Sequence, residues 1–405
     1  MRHDGDAVSS PRLWGQGKST DQQILEFTVG HDYLLDQRLV AHDIRASRAH
    51  VRMLAAKGLL TSEEAQGLLD GLAQVGLDHE AGGWQISLDQ EDCHTAIEAQ
   101  LTARLGDLGG KVHLGRSRND QVLTAIRLYL RAEIEQFTAQ LEQVAVAFDK
   151  LTATSGEISI PGYTHLQQAM PSSVALWAGG FASNLRSNLA LLRAADDLAS
   201  LCPLGSAAGY GTPGLSLDRD RTSEELGFAA PQQPVTACQT SRGKAESALA
   251  FALTQILHDL GRMAADVCLF ASQEFGIIRL DDSISTGSSI MPQKRNPDVF
   301  ELIRAHGSQA TADLIAILTL TEKLTSGYHR DYQLMKEPLF RVIDRAHLVL
   351  DVAAYALGKI TFDAARAKAI TDPSIHAATR AFELVQNEGL SFRAAYHRVA
   401  QELST

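Results

Sequence analysis

From Asp120 to Thr152 the chain runs 33 residues without glycine or proline, and apolar side chains recur along it at Val122, Ile126, Leu130, Ile134, Phe137, Leu141, Val144 and Phe148. Steps of three and four residues are the period of an α-helix with one buried stripe, so this stretch predicts a single helix about 50 Å long at roughly 1.5 Å per residue. Similar segments predict long helices over Ser172–Leu201, Ser241–Gln273, Asp298–Leu324 and Gln333–Leu357, with prolines punctuating most of the gaps between them. Upstream, Leu35, Leu39, Val40, Ile44, Val51 and Leu54 fall at helical spacing, and Thr61 with Glu64 makes a capping box for a helix reaching about Val75. Residues 77–90, with Gly82, Gly83 and Trp84, read as a loop, and Glu91–Leu105 reads as helix again, carrying His94 and Thr95 near its start.

These elements predict an all-α protein of three helical domains. Residues 1–112 form an N-terminal helical domain whose first 20 residues are a polar arm, residues 113–358 a central bundle of five long helices, and residues 359–405 a short C-terminal helical domain. Helices this long carry more apolar stripe than one small bundle needs, so copies of the chain are expected to associate through them. The composition agrees: 45% of residues are hydrophobic but only 6% aromatic, which favours packed helices over β-rich sandwiches. A net charge of −11 argues against a broad nucleic-acid or anionic-membrane surface, so anion recognition has to come from local clusters of Lys and Arg. No run of 18 apolar residues and no apolar signal region occur, giving the expectation of a cytoplasmic protein without membrane partners. Cys93, Cys202, Cys238 and Cys268 stand too far apart for a zinc site or a disulfide framework and read as buried thiols. The run Gly205–Gly214 lacks the Gly-Lys-Ser/Thr of a phosphate loop and reads as a turn-rich crossover.

Candidate chemistry gathers in four stretches. The first is Gly287-Ser-Ser-Ile-Met-Pro-Gln-Lys-Arg-Asn-Pro297, where small hydroxyl residues make a loop tip and Asn296 with Pro297 suits a helix N-cap and first turn. Lys294 and Arg295 ahead of a helix N-terminus can hold a carboxylate while a neighbour moves a proton; the bland alternative is an ordinary polar loop. The second, Gly115-Arg-Ser-Arg-Asn-Asp-Gln121, puts two guanidinium groups where they can clamp carboxylates bidentately, or where they are solvated while Asp120 caps the helix. The third, Pro161-Gly-Tyr-Thr-His-Leu-Gln167, holds His165 in a loop between prolines, and the fourth, Tyr328-His-Arg-Asp-Tyr-Gln-Leu-Met-Lys-Glu-Pro338, reads alone as a polar helix start.

The order of residues in these stretches resembles the fumarase, aspartase and argininosuccinate lyase superfamily, whose members release fumarate from a succinyl compound. The runs at Gly115–Gln121, Gly162–Gln167 and Tyr328–Glu337 are similar to its argininosuccinate lyase branch. The resemblance spans roughly residues 13–395. It implies that Ser288 is the base that removes a carbon-bound proton, that Lys294, Asn296 and Thr164 hold a substrate carboxylate, and that His165 with Glu301 assists proton transfer to the leaving nitrogen. It implies that Ser117, Arg118 and Asn119 bind substrate, and that Tyr328, Gln333 and Lys336 bind the arginine-like half. It also implies a homotetramer with shared active sites and a reaction needing no metal or organic cofactor. Gln168 and Met170 depart from the common family residues, and His31 and Asp32 are candidates for the N-terminal substrate residue, where the family's serine is missing. The expected reaction is cleavage of argininosuccinate to arginine and fumarate. The alternatives are a lyase of another succinyl amine such as adenylosuccinate, or a non-catalytic structural relative of the δ-crystallin kind.

One geometric consequence is independent of the resemblance. Arg118 opens the first long helix and His165 follows its end, so within one chain they stand about 40 to 50 Å apart. Ser288 and Tyr328 likewise flank the helix predicted at Asp298–Leu324. A site that uses all four motifs therefore has to draw them from different copies of the chain.

Overall fold

The computed structural model describes residues 21–404; the arm expected over residues 1–20 lies outside the described residues. Among the described residues, strands occur only as four two-stranded pairs, and the rest of the regular structure is helical. The long helix runs from Arg118 to Ser155, 38 residues, or about 57 Å. Its stripe is buried as the spacing predicts, with Ile126, Leu130, Ile134, Phe137, Leu141, Val144 and Phe148 all 6% exposed or less. Helices Lys244–Phe270, Asp298–Thr321 and Lys336–Leu357 match three of the other long segments to within a turn at each end.

The chain divides into two compact units, each built from three separate segments. The first comprises the residues up to Gln136 with Leu191–Phe251 and Ala312–Ile343; the second comprises Phe137–Ala190, Ala252–Thr311 and the segment from Asp344.

In the first unit, helices Val40–Ala56, Ser62–Glu80 and Cys93–Leu105 bury Val51, Leu54, Leu68, Leu72, Val75 and Leu101. The capping box is formed: Glu64 N donates to Thr61 Oγ1 at 3.2 Å and Thr61 N to Glu64 Oε2 at 2.9 Å. That helix outruns the predicted end at Val75 by five residues, to Glu80. The loop expected from residue 77 starts only at Ala81 and Gly82, and Trp84 folds back to donate to the Val75 carbonyl at 3.0 Å. The glycine-rich run is indeed a set of tight turns, with Gly205, Gly209, Gly211 and Gly214 all at positive φ. Its amides serve the protein itself: Gly205 N and Ala207 N each donate to Asp120 Oδ2 at 2.9 Å.

In the second unit, an aromatic core joins Phe148, Trp177, Phe181 and Phe362, with Trp177 Nε1 donating to Asp266 at 3.0 Å. The helix expected over Ser172–Leu201 is two helices, Val174–Ser187 and Leu189–Ala199. Asn188 sits at the break, its side chain bonding the Asn184 carbonyl at 3.2 Å and Asp259 at 2.8 Å, which offers an alternative to the helical ladder. The expected loop around His165 is instead a β-hairpin, Ser159–Thr164 paired antiparallel with Gln167–Ser173. Pro161 and Pro171 face each other in it, tolerated because each strand of a two-stranded pair has an outer edge that needs no N–H donor. Helices Ala377–Glu388 and Phe392–Leu403 close the chain around Ala381, Leu384, Ala395 and Val399. No helix of the described residues is long and apolar enough to cross a membrane.

Candidate active site

The first unit holds a cavity lined by charge of both signs. Asp32, Glu91, Asp92 and Glu246 supply carboxylates, Arg118, Arg242, Arg330 and Lys336 supply cations, and Val122, Ile126, Met335 and Leu339 form apolar wall. Of the residues singled out from the sequence, Arg118, Asn119, Tyr328, Gln333 and Lys336 come together here, although more than 200 residues separate the two motifs. Ser117 lines an adjoining cavity with Arg118, Asn119, His94 and His113.

The start of the long helix explains how Arg118 and Asn119 are presented. Ser117 Oγ accepts from Asn119 N at 3.3 Å and Asp120 Oδ1 accepts from Ser117 N at 2.9 Å, so the orphan amides of the first turn are satisfied locally. With the two amides from the glycine run, Asp120 is fully enclosed. Burial pushes its carboxyl up to about 6, against the pull of the amides and of Arg116. Arg118 leans on Asp92 at 3.0 Å and Glu91 at 3.5 Å, and Glu91 also takes Arg330 at 3.2 Å. Glu91 has φ +64°, a region a non-glycine residue enters at a cost, and only 5% of it is exposed.

Lys336 is 4% exposed, and its ammonium lies 2.9 Å from Asp32 and 2.5 Å from Asp36. Burial opposes its charge, but the two carboxylates outweigh that and hold it protonated well above the ordinary lysine range. Lys336 thus lines the cavity with its charge already engaged. Asp32, one of the two N-terminal candidates, reaches the cavity; His31 does not line it. Gln333 is anchored by donating to the Thr28 and Val29 carbonyls at 3.1 and 2.9 Å. His94, which also lines the cavity, pairs with Asp43 at 3.0 Å, both buried; burial works against its charge, and Asp43 raises it.

Asp36, Cys93 and His94 place donor atoms within 4.8 Å of one another, close enough for a metal ion. The donor set does not fit one: Asp36 is taken by Lys336, His94 by Asp43, and burial with three nearby carboxylates pushes the Cys93 thiol far above its usual range.

Thr164, His165, Ser288, Lys294, Asn296 and Glu301 belong to the second unit, and none of them lines the cavity. His165 and Leu166 form the two-residue hairpin turn with φ +52° and +60°, and Thr164 precedes them; all three are exposed. The loop carrying Ser288 is closed by a two-residue antiparallel ladder, Thr286 opposite Asn296 and Gly287 opposite Arg295. Asn296 therefore does not cap the next helix as expected. Its side chain is turned to the ladder instead, donating to Thr286 Oγ1 at 3.3 Å, and the helix begins at Asp298. Inside the loop Ser288 Oγ accepts from Ile290 N at 3.3 Å and Met291 N at 3.2 Å. Lys294 and Glu301 are exposed.

Sequence reading missed Glu91, Asp92, Arg242 and Arg330 as lining residues. Glu91-Asp92 at the start of a predicted helix was the available signal, and Arg242 carried none, being a lone arginine in a polar run.

The lyase family profile matches residues 18–311. The chain is 46% identical over 396 residues to the argininosuccinate lyase of Sorangium cellulosum, covering 98% of this chain and 91% of that one. It is 39% identical over 393 residues to the argininosuccinate lyase of Thermotoga neapolitana, covering 97% and 98%. Among solved structures it is similar to an EDDS lyase variant with bound fumarate, with a TM-score of 0.79 and 27% identity over 98% of this chain and 78% of that one. A fumarate lyase:delta crystallin from Brucella melitensis, at 21% identity with 93% and 86% coverage, shares the fold with a TM-score of 0.78. Full-length identity at this level, together with the Ser288 loop and a charged cavity built by the Arg118 and Tyr328 motifs, shows that the chain belongs to the argininosuccinate lyase family.

Proposed function

We propose that this chain is a carbon–nitrogen lyase that cleaves argininosuccinate to arginine and fumarate. The observation that carries the reading is the cavity of the first unit, which carboxylates and cations line together with Tyr328 and Gln333, a lining suited to a ligand with both charges such as an amino acid. The relatives named argininosuccinate lyase support it at 39 to 46% identity.

The elimination needs a base for a carbon-bound proton, a stabiliser for the carboxylate that becomes a dianion, and an acid for the leaving nitrogen. Ser288 takes the proton from the succinyl carbon beside the one that bears nitrogen. The electrons of that C–H bond form the double bond of fumarate as the C–N bond breaks, and its pair leaves on the guanidino nitrogen, which is protonated with the help of His165 and Glu301. Lys294, Asn296 and Thr164 hold the developing dianion, and Ser117, Arg118 and Asn119 bind the succinyl end. Serine is a very weak acid, and the two backbone amides directed at Ser288 Oγ support its role by favouring the alkoxide.

Assembly follows from the helix. Arg118 opens a 38-residue helix and His165 lies ten residues past its end, so a site that uses both draws them from different copies packed antiparallel in a homotetramer. Leu302, Ile315 and Leu318 on helix Asp298–Thr321 are 60%, 54% and 49% exposed in the single chain, which supports burial against another copy.

The test is fumarate release, followed in the ultraviolet, from argininosuccinate and in parallel from adenylosuccinate, for wild type and Ser288→Ala. Release from argininosuccinate alone, abolished in Ser288→Ala, is the expected result. Release from adenylosuccinate instead overturns the substrate, and release from neither by a folded protein overturns the enzymatic reading.

A further inference from the structure

The hairpin that carries His165 is weakest at its tip. Gly162 pairs with Met170 but Tyr163 with Gln168, so Ala169 is an extra residue with nothing opposite it, and only two pairs lie beyond this bulge. A two-stranded pair has little stability of its own, and His165 stands exposed in the turn at φ +52°. The tip is tied to the body of the second unit on both strands. On the first, the Tyr163 ring lies 5.6 Å from that of Phe275 and 6.1 Å from that of Phe270. On the second, half-buried Gln168 donates Nε2 to the Ile370 carbonyl at 2.7 Å, and its Oε1 accepts from Asp372 N at 2.8 Å. Ile370 ends helix Ala364–Ile370, the chain turns extended at Thr371, and Asp372 caps the short helical turn Pro373–His376. A carbonyl and an N–H two residues later are the groups that a neighbouring parallel strand would engage. The Gln168 amide, with a donor and an acceptor, takes the place of that strand; arginine has no acceptor and a carboxylate no donor.

Resting on the role proposed for His165 above, we infer that Gln168 is a positioning residue for the proton transfer to the leaving nitrogen. It touches no reacting atom. Gln168 fixes the strand that leaves the turn, Tyr163 fixes the strand that enters it, and together they set where the imidazole is delivered. The C-terminal segment thereby acts on the chemistry through two backbone groups that lie 202 and 204 positions from Gln168. A displacement of about 1 Å at a catalytic group can cost on the order of 100-fold in rate, so two hydrogen bonds on a loosely paired tip are enough to matter.

The test uses the full-length protein with Gln168→Met, which keeps the length of the side chain and removes both hydrogen bonds, and Gln168→Arg, which keeps only a donor. With argininosuccinate, Gln168→Met is expected to lower kcat about 10- to 100-fold with KM little changed. The loss narrows as pH falls, because solvent acid then supplies the proton that a displaced His165 delivers poorly. Gln168→Arg falls between this variant and wild type. In Gln168→Met amide exchange quickens across residues 163–168 and is unchanged in helix Val174–Ser187. Unchanged kcat overturns the inference. So does a loss of the same size at every pH, which would mark damage remote from the proton transfer, or full activity of Gln168→Arg, which would leave the bond from Asp372 N without a role. Unaltered exchange in the tip refutes the clamp itself. That readout requires no turnover, so a wild type that releases no fumarate from argininosuccinate refutes the substrate reading separately.

Discussion

Removing the ammonium of Lys336 leaves Asp32 and Asp36 buried without their counter-charge, and breaking a buried pair from one side costs about 3 to 5 kcal/mol. Lys336→Met is therefore expected to lower the urea midpoint sharply, and an unchanged midpoint would show that the pair is not closed in solution. His50 makes a second prediction with a definite sign. It is buried and donates Nε2 to the Leu114 carbonyl at 2.8 Å, and burial, helped by Arg116, pushes it down to about 3. The folded chain thus holds it neutral while the unfolded chain protonates it below about pH 6.5. Its contribution is fully present above that pH and is lost as pH falls toward 3, at about 1.4 kcal/mol per pH unit. Denaturant midpoints at pH 7 and pH 5 should differ less in His50→Gln, which retains a donor for Leu114, than in wild type. At this scale the sequence was informative where a motif ran unbroken, as at Arg118-Asn119 and Tyr328. It was silent on Arg242 and on the partners of Lys336, because a lone charged residue has no local pattern and its meaning depends on a carboxylate about 300 positions away.

Among the elements, the long helices were legible because a stripe repeated over eight or nine turns has no other economical explanation. The hairpin at His165 was not, since two prolines in eleven residues read as loop and only the pairing partner reveals why an edge strand accepts them. The same holds for Asn296, whose side chain is taken by Thr286 across a two-residue ladder that no local pattern announces. The hairpin yields a prediction of its own. Leu166 is 76% exposed at φ +60°, a backbone that asparagine adopts more easily than leucine. Leu166→Asn is expected to stabilise the hairpin by about 1 kcal/mol, read as slower amide exchange across Ser159–Ser173. Faster exchange there would mean that the leucine side chain holds the turn by packing.

For the whole molecule, the division of candidate residues between two compact units gives the assembly its test. Ser288→Ala damages the second unit and Arg118→Gln the first, and each alone is expected to lack fumarate release. Unfolded together and refolded as a mixture, they should recover part of it, because some mixed assemblies hold a site with neither lesion. A mixture as inactive as its parents would place every catalytic group of a site in one copy. The pairing of Lys336 with Asp32 and Asp36 reaches beyond equilibrium to how the protein is made. Those partners lie 304 and 300 positions apart, and a ribosome adding about 5 to 20 residues per second needs about 15 to 60 seconds to get from one to the other. Throughout that interval the nascent N-terminal helices carry two carboxylates destined for burial and nothing to neutralise them. The first unit cannot close domain by domain as it emerges; translation has to pass Lys336 before folding can be completed.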